Sequence, residues 1–173
     1  MRLKRRARET AIDRLNALAG KLVKQFAPPE DITVTEWANR FRVISSESGA
    51  EAGPWRTSRT PYLAEPMDAF TDARVSNIVM VAASQVGKTE FMLNSIAYAI
   101  DQDPASIMLV QPTVEDARKF SRQRIAPMIR DCKRLKAKVA DVKSRDSANT
   151  ILQKSFPGGM LTITGSNSAS ALA

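Results

Sequence analysis

The sequence predicts an α/β fold: a parallel sheet flanked by helices, with a helical appendage at its N-terminal end. Three observations lead there. Two short apolar runs, Ile78-Val79-Met80-Val81 and Ile107-Met108-Leu109-Val110, have the composition of buried parallel strands. Residues 88–100 between them space Phe91, Leu93, Ile96, Ala97 and Ile100 as a buried helix does. The connections are short, so strand, helix and strand form one βαβ unit with a right-handed crossover. At 173 residues the chain suits one domain plus a short appendage, divided as 1–44 and 45–173.

The elements follow in order. Residues 9–26 place Ile12, Leu15, Leu18, Leu22 and Phe26 at helical spacing, and Pro28-Pro29 ends that helix because the residue before proline avoids the α region. Thr33 or Thr35 is placed to cap a second, short helix carrying Trp37 and Phe41. Residues 45–61 are rich in Ser, Gly and Pro and read as a loop, and 62–70 as a helix. After the βαβ unit, Thr113 with Asp116 three residues on has a capping pattern. The helix that follows buries Ala117, Phe120 and Ile125, and Pro127 kinks it or ends its regular part. Residues 133–145 read as a basic connector. Residues 151–156 and 160–164 flank Pro157-Gly158-Gly159 as a hairpin.

The net charge is +8 and unevenly placed. Residues 1–24 carry eight Lys/Arg against Glu9 and Asp13, and residues 118–145 carry eleven against Asp131 and Asp141. Such concentration favours a polyanion such as double-stranded DNA, and serves equally as a solvated surface. The sequence has no histidine, which excludes His-dependent triads and His metal sites, and Cys132 is its one cysteine, so no internal disulfide forms. Cys132 reads as a plain small residue near a helix end, and a reducing, intracellular setting fits. No apolar run is long enough to cross a bilayer, and no secretory signal is expected.

Residues 82–89 read Ala82-Ala-Ser-Gln-Val-Gly87-Lys88-Thr89, against the phosphate-loop pattern G-x-x-x-x-G-K-[ST]. The GKT is intact, and Ala82 replaces the first glycine, which is tolerable where its φ is negative. Such a loop curls the backbone N–H groups of Ala83, Ser84, Gln85 and Val86 around a β-phosphate, and the following helix points its positive N-terminus at the same anion. Gly87 lets the backbone approach without a Cβ. Lys88 then bridges the β- and γ-phosphate oxygens of ATP and Thr89 ligates Mg2+, which makes these two the catalytic candidates. Glu90, next to the loop, is grouped with the nucleotide contacts but reads as a surface charge. An ordinary βα turn with a solvent-facing lysine would carry the same letters.

Several spaced motifs resemble a known family. They are Gly53-Pro-Trp-Arg-Thr-Ser-Arg-Thr-Pro-Tyr-Leu63, Ala83-Ser-Gln-Val-Gly-Lys-Thr-Glu90, Asn94, Tyr98, Asp103-Pro104, Val110-Gln-Pro-Thr113, Phe120-Ser121, Arg124-Ile-Ala-Pro-Met128 and Gly165-Ser-Asn-Ser168. Together, over about residues 33–170, they resemble the large terminase subunit of tailed bacteriophages, in its lambda-like, GpA-type group. The resemblance implies a P-loop NTPase-type ATPase that hydrolyses ATP to drive viral DNA into a procapsid. It implies as partners double-stranded DNA, the terminase small subunit, the portal and procapsid, and further copies of the motor subunit, in the host bacterial cytoplasm and away from membranes. Gln111 and Thr113 match the segment thought to couple the nucleotide to DNA. Tyr62 is the candidate for stacking on the adenine, with an ordinary core aromatic as the other reading.

Two departures from the family pattern stand out. Ser84 takes the loop position where some terminases carry an arginine, so an arginine finger is expected from elsewhere or from a neighbouring subunit. No apolar run within the 173 residues ends in Asp-Glu, so that acidic pair and the nuclease domain are expected after residue 173. Turnover by this chain alone is therefore expected to be weak or nil. Two other readings remain open: a different P-loop enzyme, such as a superfamily 2 helicase or a small kinase, and a non-enzymatic basic DNA-binding or assembly module with a vestigial loop.

Overall fold

The computed structural model describes residues 14–16, 18–19, 30–47, 51–139 and 150–167. The chain divides into two compact units, Met1–Glu30 and Asp31–Ala173. In the first, residues 14–16 and 18–19 are helical; the other positions of the predicted 9–26 helix lie outside the described residues. The architecture below is that of the second unit.

Helix α1, Val34–Phe41, starts on a capping box. The Thr33 hydroxyl accepts from the Glu36 N–H at 3.3 Å, and the Glu36 carboxylate accepts from the Thr33 N–H at 3.1 Å. Two of the four orphan amides are thereby satisfied. Val34, Trp37 and Ala38 form its buried stripe. A two-residue antiparallel pair follows, β1 (Val43–Ile44) with β2 (Gly53–Pro54). Two 3-10 turns, Thr57–Arg59 and Pro61–Leu63, lead into helix α2, Ala64–Ala69. The predicted 45–61 loop thus carries a short strand and a turn of its own.

Helix α3, Lys88–Asp101, is the central helix and ends one residue beyond its predicted bound. Leu93, Ile96, Ala97 and Ile100 enter the core beside Trp37, Ile125, Leu135, Leu161 and Ile163. Strand β3, Ile107–Gln111, follows. Helix α4, Val114–Phe120, is capped by Thr113. It passes through a π-helical turn, Ser121–Ile125, into α5, Ala126–Asp131. The π turn lies just before Pro127, whose missing N–H and bulky ring disturb the preceding ladder. Residues 133–138, expected as connector, form helix α6, Lys133–Lys138, because Leu135 and Val139 have core space to fill. Positions 140–149 lie outside the described residues.

The predicted hairpin is present as β4, Gln153–Phe156, and β5, Gly159–Gly165. The fold is α/β, but the sheet is mixed. Its order is β3-β5-β4, with β3 parallel to β5 and β4 antiparallel to it. Two expectations about the strands need correction. Residues 78–81 form no strand: they are irregular, pair with no strand, and leave Val79 85% and Val81 95% exposed. The β3 ladder runs to β5 instead, so the βαβ pairing of 78–81 with 107–110 is not formed. The second run is also only half-buried: Leu109 faces the core, while Met108 and Val110 are exposed. An apolar run is buried only where neighbours cover both its faces, and composition cannot specify those neighbours.

Candidate nucleotide site

The segment 82–89 turns between the unpaired residues 78–81 and α3. Gln85 has φ 61° and Gly87 φ 86°, both in the left-handed region. Val86 between them has no positive φ, so handedness alternates along 85–87 as it does in anion nests. Ala82 has no positive φ, so the loop accommodates it in place of glycine. Gly87 is required twice over. Its φ is one that L side chains rarely adopt, and a Cβ there would lie 2.9 Å from Leu63 Cδ1.

Gly87 is the N-cap of α3, and no side chain accepts from the first amides of that helix. The amides therefore remain available to an anion, and the helix dipole favours one. Lys88 curls back over the loop, its ammonium donating to the Ala82 carbonyl at 2.9 Å and to that of Ala83. Thr89 and Glu90 complete the first turn of α3, and Ala83, Ser84, Gln85 and Val86 form the loop itself. The donor set fits a phosphate: an uncapped helix start, a left-handed turn and the ammonium of Lys88 held over the loop. Among the described residues no cluster of three or more acidic or thiol side chains could hold a metal by itself.

Glu90 is not a free surface charge. Its side chain is 19% exposed and lies 3.3 Å from the guanidinium of Arg42, itself 2% exposed. Arg42 also donates through Nε to Asn94 Oδ1 at 3.2 Å and through Nη1 to the Val43 carbonyl. Burial lowers the Arg42 pKa, and the charge of Glu90 opposes that pull. Local sequence gave no sign of this arginine, because Arg42 ends a short surface helix as many solvated arginines do.

Tyr62 is 57% exposed, which corrects the core-aromatic reading. It borders a groove of about 280 Å3 with Pro66, Val79, Val81, Ala82 and Val86, so it stands beside the loop. Gln111 and Thr113 are fixed from the other end of the chain. The Gln111 carbonyl accepts from the Ser166 N–H at 2.8 Å, and the Ser166 hydroxyl donates to the Pro112 carbonyl at 2.9 Å. Gly165 makes this approach possible, since a Cβ there would lie 2.3 Å from the Val114 nitrogen. The Thr113 hydroxyl accepts from the Asp116 N–H at 3.1 Å and donates to its carboxylate at 2.7 Å.

Part of the basic segment is committed internally. Arg134 Nε and Lys138 Nζ lie 2.6 Å and 2.9 Å from the buried Asp101 carboxylate, and Arg130 pairs with Glu47 and Asp131. Lys119, Arg122, Lys133 and Lys136 are exposed and carry no ion pair among the described residues. No helix among the described residues is long and apolar enough to cross a membrane.

Comparison with known proteins places the chain in a family. The family model for the phage terminase large subunit gpA, ATPase domain, matches residues 49–173, which include the loop. The terminase large subunit of Escherichia phage lambda is 26% identical over 148 residues, covering 86% of this chain and 23% of that protein. The terminase large subunit of Enterobacteria phage P21 is 26% identical over 132 residues, covering 76% of this chain and 20% of its own length. The chain thus spans under a quarter of these relatives. No solved structure matches it.

Proposed function

Because the chain belongs to the family of phage terminase large subunit gpA ATPase domains, we propose that it binds ATP with Mg2+ at residues 82–89, as the nucleotide-binding front of a motor that drives double-stranded DNA into a procapsid. The observation that carries this is the left-handed pair Gln85 and Gly87 leading into an uncapped helix start. Such a start offers amides and a positive dipole to a phosphate and nothing comparable to an apolar ligand.

Each side chain then has a task. The amides from Ala83 to Gly87 hold the β-phosphate. Lys88 leaves the Ala82 and Ala83 carbonyls and places its ammonium against the β- and γ-phosphate oxygens, stabilising charge as the phosphoryl group transfers. Thr89 would hold Mg2+ through its hydroxyl, and the ion would supply charge neutralisation at the phosphates. Tyr62 stacks on the base from the adjoining groove. Gln111 and Thr113, at the end of β3, carry the coupling to DNA, and the exposed cations of the basic segment contact phosphates without reading sequence. In the intact motor the partners are the terminase small subunit, the portal and procapsid, and further copies of the same subunit. Hydrolysis by these 173 residues alone is expected to be weak, because no apolar run in the sequence ends in an Asp-Glu pair that would orient the attacking water.

Titration with Mg-ATP tests the reading. The unmodified chain should bind saturably and Lys88→Ala should lose at least about tenfold in affinity, the scale expected when a charged phosphate ligand is removed. A chain that binds DNA but not Mg-ATP would favour the assembly-module reading, with the loop as a vestige.

A further inference from the structure

Arg42 lies outside the phosphate loop, and nothing in the loop chemistry calls for it. Yet its side chain is 2% exposed, a costly place for a guanidinium, and its donors point to specific acceptors. Two of those acceptors, Glu90 Oε2 and Asn94 Oδ1, sit four residues apart on one face of α3. A two-point grip of this kind resists both rotation of the helix and sliding along its axis. It acts on the first turn, immediately after Lys88 and Thr89.

The main chain of the same residue holds the other wall of the site. The Arg42 carbonyl accepts from the Trp55 N–H at 2.9 Å, and Asn39 Oδ1 accepts from the Thr57 N–H at 2.8 Å. The 3-10 turns that follow end at Leu63, the side chain packed against Gly87. Arg42 therefore ties the start of α3 to the segment that seats Leu63 and Tyr62.

We propose that Arg42, acting through Glu90 and Asn94, is a positioning residue of the nucleotide site. It sets the angle at which the Lys88–Thr89 turn meets the phosphates, and it touches no nucleotide itself. This rests on the nucleotide-binding reading given above.

The test is a double-mutant cycle on Mg-ATP affinity, run at a temperature where circular dichroism shows each variant folded. Arg42→Gln should weaken binding about tenfold, and Arg42→Lys, which keeps the charge but not the fork, should fall between. Glu90→Ala should weaken binding severalfold, and the double variant should bind no worse than Arg42→Gln alone, because both changes break one linkage. Should Arg42→Gln lower the melting temperature yet leave affinity within twofold, the residue is merely structural and the proposal is overturned. Multiplicative losses in the double variant overturn it as well, since they mean independent action. If Arg42→Gln does not fold, Glu90→Ala decides: affinity within twofold of the unmodified chain rejects the proposal. Loss of binding in Lys88→Ala with full binding in Arg42→Gln rejects this proposal alone. A chain that never binds Mg-ATP rejects it together with the reading beneath it.

Discussion

Gly87 shows how much one position can be asked to do. Its φ of 86° and the 2.9 Å approach of Leu63 Cδ1 are separate demands, and both exclude a Cβ. Left-handed backbone costs an L residue about 1–2 kcal/mol. Leu63 is a flexible side chain and can yield part of the steric conflict. Gly87→Ala should therefore lower the melting temperature by only a few degrees, read by differential scanning fluorimetry, while weakening Mg-ATP binding because the loop amides no longer converge. Unchanged affinity in a folded Gly87→Ala chain would show that the loop tolerates another shape. The letters GKT and the spacing of the loop were legible in sequence because close backbone approach demands glycine. Gln85, with φ 61°, was legible as a loop member but not as the second left-handed residue. Glutamine carries no preference for that region, and the fold imposes it.

At the scale of elements, Asp101 joins three helices. It sits at the end of α3 with its side chain fully buried and accepts from Trp37 Nε1 on α1 at 2.7 Å. Gln102 donates to it at 2.7 Å, and Arg134 and Lys138 on α6 close the cluster. Burial alone would push its pKa up, but the hydrogen bonds from Trp37, Lys138 and Gln102 and the charge of Lys138 outweigh it, and the carboxyl is held below its usual range. The sign follows from linkage. A folded pKa below the unfolded value of about 4 means stabilisation that is full above that value and lost as pH falls through the folded one. Denaturant melts of the unmodified chain should thus lose stability below about pH 4. Asp101→Asn should cost about 2–3 kcal/mol at pH 7, because two cations lose their partner, and should flatten the acid limb. An acid limb unaltered by Asp101→Asn would assign it to other carboxylates. Sequence pattern placed Trp37 on a helix and α3 at nearly its full length. It did not pair Trp37 with Asp101, 64 residues away, since a hydrogen bond across that separation leaves no local trace.

For the whole molecule, the charge of +8 has to be divided between structure and surface. Arg134 and Lys138 neutralise the buried Asp101 and Arg130 pairs with Glu47 and Asp131 nearer the surface, while Lys119, Arg122, Lys133 and Lys136 face solvent. If these cations contact DNA as proposed, affinity for it should fall steeply with salt, and the double change Lys133→Gln and Lys136→Gln should reduce the slope of log K against log salt by about 2. Fluorescence anisotropy with unrelated duplexes over a salt series measures it. A slope that the double change leaves intact would reject Lys133 and Lys136 as DNA contacts. The sequence by itself determined α1, α3, α4, the hairpin and the capped starts, since each is written in contacts only a few residues apart. Tertiary structure alone decided that β3 pairs with β5, that residues 78–81 remain unpaired, and that Arg42 reaches Glu90. These outcomes depend on which distant surfaces meet, and burial of an apolar run or of a charge is a property of that meeting.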